Sequence, residues 1–362
     1  MELKNKSNEK ATKFFDTEGI EFGQVFSDHI LIAEYKDGVW SKAIIKPYDK
    51  IELQPSISAL HYGQSIFEGF KAFRVDDNTI NIFRPYMNLE RFNQSAIRLS
   101  MPEVPEEMFI DGIKELIEID NFFVPDLPES SLYIRPLMFA TENTLSVRPS
   151  STYKFVVLTC PVGKYYSSPL KMLIETKYAR AATGGVGTCK NSGNYAASFL
   201  PTVLANQRGF DQVIWTDSEK HEHIEEAGIA NLMLIKNGIM IVPESQNILQ
   251  GITRNSVIEI AKYLNIPIEK RIVTVNELLI GIKDRSITEV FATGTAAKIA
   301  HIVTIGYNSE VIELPKIENK LSNQILKILT SIQQGDHKDI FNWITPLIIN
   351  KTISSIQSKI NA

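Results

Sequence analysis

Residues 184–195 read Gly184-Gly185-Val186-Gly187-Thr188-Cys189-Lys190-Asn191-Ser192-Gly193-Asn194-Tyr195. The repeated glycines let a backbone approach a ligand closely, and one lysine, Lys190, sits among them just ahead of a predicted helix. A phosphate-gripping Walker loop would need Gly-Lys-Ser/Thr, whereas Cys189 precedes Lys190 and Asn191 follows it. A dinucleotide fingerprint fails too, because Gly185-x-Gly187 is followed by Lys190 where the third glycine belongs. On these residues alone two readings stand: a lysine held in a cleft and suited to a Schiff base, or a glycine-rich loop with a solvated lysine.

Working outward, two further stretches bear on the choice. Leu249-Gln250-Gly251-Ile252-Thr253-Arg254 joins a strand-like run to a helix, and Phe291-Ala292-Thr293-Gly294-Thr295-Ala296-Ala297 ends a strand. Each puts a glycine, a hydroxyl and backbone N–H groups where the chain changes direction. If Ile252 and Thr253 open the helix, their amides form an anion site with a favourable dipole. Either stretch alone reads as an ordinary capped turn; beside a lysine of this setting they point to a phosphate-bearing cofactor. His221-Glu222-His223 and Glu225-Glu226 carry metal-ligand chemistry, but Asp217 to His223 is wholly polar and reads as an exposed turn, so no metal is expected.

The 362 residues suggest two domains at about 150 residues each. The first half predicts strands over 26–35, 39–45, 79–83, 131–139 and 153–160, with a helix through Leu89, Phe92, Ala96 and Leu99 and a second over 106–119, an α+β pattern. The composition shift at Pro161 to Pro169 marks the connection. Beyond it come strands near 170–177 and 211–216, a helix over 195–208, and a hairpin turning at Asn237-Gly238. Helices 253–264 and 276–283, strands 271–275 and 287–292, and two C-terminal helices follow. The expected layout is an arm at 1–20, a small α+β domain at 21–163, a loop at 164–172 and a large domain at 173–362.

Lys+Arg is 38 against Asp+Glu 42, a net charge of −4, which argues against nucleic-acid binding by phosphate neutralisation. Two cysteines, Cys160 and Cys189, make no CxxC pair, so neither a disulfide framework nor a zinc ribbon is expected. A polar start without a signal-like stretch, and no long apolar run, lead to the expectation of a cytoplasmic protein without a membrane span.

Several motifs then resemble, in order, those of fold-type IV pyridoxal-phosphate enzymes: Lys190-x-x-Gly193-Asn194-Tyr195, Glu226-x-Gly228-x-x-Asn231, Gly251-Ile252-Thr253-Arg254 and Gly294-Thr295-Ala296. In the first half, His61 to Phe73, Phe83 to Arg91 and Tyr133-Ile134-Arg135-Pro136 are similar to branched-chain amino-acid aminotransferases. The resemblance covers roughly residues 20–310. It implies the D-amino-acid-aminotransferase-like fold, two domains with the active site at their interface, pyridoxal 5′-phosphate as cofactor and a homodimer. D-amino-acid aminotransferases and aminodeoxychorismate lyases share the fold; they lack the combination of Phe83 to Arg91 with Tyr133 to Arg135.

By the same resemblance, Lys190 forms the Schiff base and shuttles the proton between Cα and the cofactor's C4′. Tyr195 donates to O3′. Glu226 faces the pyridine nitrogen, with Glu225 its competitor one residue too far from Gly228. Arg91 binds the phosphate with Ile252, Thr253 and Thr295; Arg180 is a second basic residue near it, and Leu249, Gly251 and Gly294 belong to the same cofactor-binding turns. Phe22, Phe67, Tyr133 and Tyr165 form an apolar substrate wall, while Tyr62, Leu145 and Val147 come from the neighbouring subunit. Thr295 and the Ala296 amide take the amino-acid carboxylate, and Arg135 the γ-carboxylate of glutamate. Ile229 stands where some members carry Thr and Gln250 where Pro is usual. The paired cysteines of a redox switch are lacking at Ala297 to Ala300, so no thiol regulation is expected there.

Overall fold

A computed structural model describes residues 22–349; the arm expected at 1–20 lies outside them. The chain divides into two compact units, one running to Tyr165 and resuming at Ser331, the other spanning Tyr166–Thr330.

The first unit is built on β1 (His29–Lys36), β2 (Val39–Trp40), β3 (Ile44–Pro47), β4 (Ser65–Phe67), β5 (Phe70–Arg74), β6 (Thr79–Phe83), β7 (Ser131–Ala140) and β8 (Tyr153–Val162), with α1 (Ser58–Tyr62), α2 (Pro85–Arg98) and α3 (Gly112–Ile119). Its strands pair antiparallel throughout, with β7 against β8 in register from Ser131↔Val162 to Ala140↔Tyr153. Leu89, Phe92 and Ala96 of α2 and Ile113, Leu116 and Ile117 of α3 are buried against Phe70, Ala72, Ile80, Ile82 and Phe155 of the sheet. The helical 3–4 spacing of these residues and the period-2 alternation of the strands thus meet in one core. The helix predicted over 106–119 begins with a π-helical turn at Glu107–Asp111 before α3.

The second unit holds β9 (Leu170–Ile174), β10 (Gln212–Thr216), β11 (Ile224–Ala227), β12 (Ala230–Lys236), β13 (Ile239–Pro243), β14 (Ile268–Arg271), β15 (Ile287–Gly294), β16 (Lys298–Tyr307) and β17 (Glu310–Glu313). Between them lie α4 (Ser192–Ala196), α5 (Phe199–Gln207), α6 (Ile252–Tyr263) and α7 (Val275–Lys283), followed by α8 (Leu321–Gln334), within which the second unit ends at Thr330. The strand order is β11-β10-β9-β16-β15-β12-β13-β14, and β11 also pairs with β12. That extra pairing closes the stretch from β11 to β12 into a ring, which brings Glu226 opposite Asn231. The β12–β13 hairpin turns on Asn237 and Gly238, both at positive φ (50° and 79°) as a two-residue turn of this kind demands.

Three expectations are corrected. The helix over 195–208 is two, because the chain bends at Ala197–Ser198 between α4 and α5. The strand placed at 271–275 is β14 at Ile268–Arg271, paired parallel with β13. Residues 331–349 group with the first unit, where the 173–362 boundary had put them in the second: β18 (Ile344–Ile348) pairs antiparallel with β6, and Leu347 enters the first unit's core. Of the two expected C-terminal helices α8 is one, and residues 350–362 lie outside the described residues.

Candidate active site

In the second unit, the glycine-rich loop is fixed from within. Asn194 Nδ2 donates to the carbonyls of Val186 (2.9 Å) and Cys189 (3.0 Å), and Asn191 Oδ1 accepts the Asn194 amide at 3.1 Å as the N-cap of α4. These bonds straddle Lys190. Its Nζ donates to Tyr195 Oη at 2.5 Å and lies 5.0 Å from the centre of that ring. The i, i+5 spacing across the start of a short helix puts amine and phenol side by side.

A buried carboxylate stands next in the arrangement. Glu226 Oε1 accepts the Leu249 amide at 2.6 Å, and Oε2 lies 3.3 Å from Arg180 Nε. Burial pushes the Glu226 pKa up; the Arg180 charge, the Leu249 N–H and the Lys190 charge pull it back, while Glu225 adds to the rise. Arg180 also donates to the carbonyls of Asn247 and Gly187 (3.4 Å to the latter), tying the lysine loop to the loop before α6. Asn231 Nδ2 donates to the Leu249 carbonyl at 2.9 Å. Its Oδ1 would lie 1.9 Å from a Cβ at residue 251, so only glycine fits there. Gly251 is the N-cap of α6 and offers no side-chain cap, which leaves the first-turn amides of buried Ile252 and Thr253 without intrahelical partners and makes this helix start suited to an anion. Thr293, opposite Asn231 across β12–β15, leads into the Gly294–Ala296 turn; its buried Oγ1 has no hydrogen-bond partner among the described residues.

In the first unit, Arg91 and Glu68 form a bidentate buried ion pair, Nε–Oε1 2.7 Å and Nη2–Oε2 2.9 Å. Glu68 is wholly buried and also accepts the Gly69 amide at 3.0 Å. A Cβ at Gly69 would sit 1.8 Å from Tyr133 Oη. Arg135 Nη2 donates to that hydroxyl at 2.9 Å, and its guanidinium stacks over the rings of Phe67 (4.8 Å) and Tyr133 (5.2 Å). Phe22 packs edge-on to Tyr133 (4.8 Å between centres) and Tyr165 (5.4 Å). Tyr62 Oη donates to the Leu145 carbonyl at 2.6 Å; Tyr62, Leu145 and Val147 are 45%, 61% and 84% exposed.

The sequence-derived candidates therefore fall in both units. Lys190, Tyr195, Arg180, Glu226, Leu249, Gly251, Ile252 and Thr253 are linked by the bonds above, with Gly294, Thr295 and Ala296 at the end of β15. Phe22, Phe67, Tyr133, Arg135 and Tyr165 form one cluster beside the Glu68–Arg91 pair, and Tyr62, Leu145 and Val147 a separate exposed patch. Both arginines assigned to a phosphate are engaged with carboxylates, Arg91 with Glu68 and Arg180 with Glu226. Sequence reasoning passed over Glu68, Asn194 and Asn231 as supporting residues, although each lies inside a quoted motif; the signal was a polar residue flanked by apolar ones. The His221–His223 segment is a turn around Asp217, whose carboxylate accepts the amides of Lys220 (2.9 Å), Glu222 (2.8 Å) and His223 (2.6 Å). Burial, the largest single influence, pushes the Asp217 pKa up, but those N–H groups together outweigh it and hold the value at about 2.

Comparison with known proteins bears on this geometry. Residues 65–305 match the amino-transferase class IV family. A probable branched-chain-amino-acid aminotransferase of Staphylococcus aureus (strain MRSA252) is 40% identical over 350 residues, covering 95% of this chain and 96% of that protein. The branched-chain-amino-acid transaminase 1 of Bacillus subtilis (strain 168) is 38% identical, covering 91% and 94%. Among solved structures, a T.th. branched-chain amino acid aminotransferase complexed with N-(5′-phosphopyridoxyl)-L-glutamate superposes with a TM-score of 0.71 at 26% identity, covering 89% of this chain and 99% of that one. With the family match spanning well over half its length and relatives this similar along nearly all of it, the chain belongs to the class IV aminotransferases.

Proposed function

We propose that this protein is a branched-chain amino-acid aminotransferase, moving the amino group of L-leucine, L-isoleucine or L-valine to 2-oxoglutarate and back with pyridoxal 5′-phosphate. The observation that carries the reading is the arrangement in the second unit: a lysine at 2.5 Å from a phenol, a buried carboxylate, and the uncapped start of α6. An aldehyde, a ring nitrogen and a phosphate need those three kinds of partner, so the residues fit the cofactor. The names of the relatives support the substrate class. When bound, the cofactor supplies the electron sink that lets the substrate Cα–H bond ionise.

This chain's residues supply the rest. Lys190 holds the cofactor covalently and then carries the proton to and from Cα. Tyr195 orients the Lys190 amine. Glu226 holds a proton on the ring nitrogen, and Arg180 keeps Glu226 in place. The Ile252 and Thr253 amides, with Thr295, hold the phosphate; Leu249, Gly251 and Gly294 shape that cradle. Phe22, Phe67, Tyr133 and Tyr165 exclude water from an aliphatic side chain. Arg135 pairs with the γ-carboxylate of glutamate, and Thr295 with the Ala296 amide takes the α-carboxylate. The exposed Tyr62, Leu145 and Val147 serve a neighbouring subunit in a homodimer, as the resemblance of their positions implies. Cys160 and Cys189 are both buried thiols outside any disulfide, which suits a reducing cytoplasm.

The test is the visible absorption spectrum of the purified protein with pyridoxal phosphate, before and after L-leucine, and after D-alanine. A visible band that falls with L-leucine and not with D-alanine, and is absent in Lys190→Ala together with a loss of turnover of about 10³-fold or more, is the expected result. A colourless wild-type protein overturns the reading.

A further inference from the structure

Glu225 and Glu226 are neighbours in β11, and both carboxylates grip the same loop. Glu225 is 1% exposed; its Oε1 accepts Ser245 Oγ at 2.6 Å and Asn247 Nδ2 at 2.9 Å. The Asn247 amide in turn donates to Ser245 Oγ at 3.1 Å. The loop's next amide partner, Leu249, is on Glu226. Asn247 passes its carbonyl to Arg180, and Arg180 returns to Glu226. The result is a closed circuit: Glu225, Asn247, Arg180, Glu226, Leu249 and back along the chain.

Two buried carboxylates side by side are costly unless both are held. Glu225 Oε2 makes no hydrogen bond among the described residues, so its hold on the loop runs through Oε1. The charged groups facing Glu226 are Arg180, Glu225, Lys190 and Arg254. Displacing the 245–249 loop would therefore change the contacts of Arg180, and through it the setting of Glu226.

We propose that Glu225 is a positioning residue of the cofactor site, fixing the 245–249 loop so that Arg180 and the Leu249 amide stay on the Glu226 carboxylate. This inference rests on the cofactor reading given above and adds a residue that the resemblance treated only as a rival to Glu226. In this role Glu225 acts through its bonds to Asn247 and Ser245.

Three variants test it. Glu225→Gln keeps an acceptor oxygen for Asn247 and Ser245, Glu225→Ala removes it, and Asn247→Ala removes the link from the other end while leaving the backbone carbonyl for Arg180. For each, pyridoxal phosphate is titrated into apoprotein, the visible band of the loaded full-length protein is followed against pH, and the thermal midpoint is recorded. Glu225→Ala and Asn247→Ala are expected to weaken cofactor binding by about 10-fold or more, the scale on which supporting partners of a site act, and to move the pH midpoint of the band. Glu225→Gln is expected to stay within about threefold of wild type. If the alanine variants melt earlier but bind the cofactor as wild type does, with an unmoved pH midpoint, Glu225 is a stability residue and the proposal fails. If Glu225→Ala is insoluble, Asn247→Ala decides by the same criteria. Wild-type protein that binds no pyridoxal phosphate overturns the underlying reading and this inference with it; normal wild-type binding with unchanged variants overturns this inference alone.

Discussion

The two groups of functional residues are held by different means. In the second unit, the polar groups are pinned mostly by main chain: Glu226 by the Leu249 amide, Arg180 by the Asn247 and Gly187 carbonyls, and the lysine loop by carbonyls bonded to Asn194. In the first unit, side chain holds side chain: Arg91 on Glu68, and Arg135 on Tyr133 and Phe67. Main-chain anchors cannot change rotamer, which fixes the surroundings of the lysine proposed to move protons, as preorganised catalysis requires; its amine is held by the Tyr195 side chain. Ring-to-ring and ring-to-guanidinium contacts shift at little cost, which suits the surface proposed to meet both aliphatic and anionic side chains.

The sharpest way to break this contrast is a methyl group at each of two crowded glycines. Gly251→Ala sets its Cβ against Asn231 Oδ1, whose side chain is already committed to Leu249. A shift of about 1 Å at the start of α6 is expected to weaken pyridoxal phosphate binding by roughly 10²-fold, read by titration of apoprotein. Gly69→Ala, pressing on Tyr133 Oη, is expected to raise the KM for L-leucine and leave cofactor affinity close to wild type. Equal losses of cofactor affinity in both would erase the distinction.

Arg135→Met sharpens it further. Removing a charged hydrogen-bond donor is expected to raise the KM for 2-oxoglutarate by about 10- to 100-fold, with L-leucine affected less than about threefold because the rings remain. Steady-state kinetics with both substrates checks this. A parallel rise for leucine would mean that Arg135 only props up the aromatic cluster.

The smallest effect is expected at an ion-pair cluster outside both groups. Glu277 accepts Arg271 Nη1 and Nη2 (2.8 and 2.7 Å) and Lys236 Nζ (2.7 Å), and the Arg271 hydrogen bonds lower its pKa from 4.5 to about 2. A carboxylate depressed in the folded state adds stability above its ordinary pKa and loses it as pH falls toward the folded value. Glu277→Gln should therefore lower the thermal midpoint near neutral pH and match wild type near pH 2. Solvent around the pair keeps the difference under about 1 kcal/mol. A gap that persists at pH 2 would locate the effect in packing.

Much of this architecture was legible where local signals were strong. The Asn237-Gly238 hairpin was marked by its turn residues, and α2 and α3 by the spacing of their apolar faces. The Lys190 and Gly251 stretches stood out by their glycines and hydroxyls, which follow from local backbone needs, whereas Glu226 was singled out by the resemblance alone. What escaped was decided at long range. Nothing near Ile344 announces a partner at Phe83, and Pro346 inside β18 weakened its strand signal; the position is tolerated because the sheet ends at β18. Glu68 was invisible as an anchor because its partner lies 23 residues on. Glu225 read as a misplaced copy of Glu226 until its bonds to Ser245 and Asn247 were seen.

The return of β18 to the first sheet has a consequence for how the chain is made. Strand β6 leaves the ribosome early, yet its partner at residues 344–348 emerges only after the whole of Tyr166–Thr330 has been synthesised. During that interval β6 presents an open edge, the kind that invites pairing with another nascent chain. The second unit must form as an insertion between two halves of the first, and any pause in its synthesis lengthens the exposure. Expression yield and aggregation should respond to the speed with which the last strand is delivered.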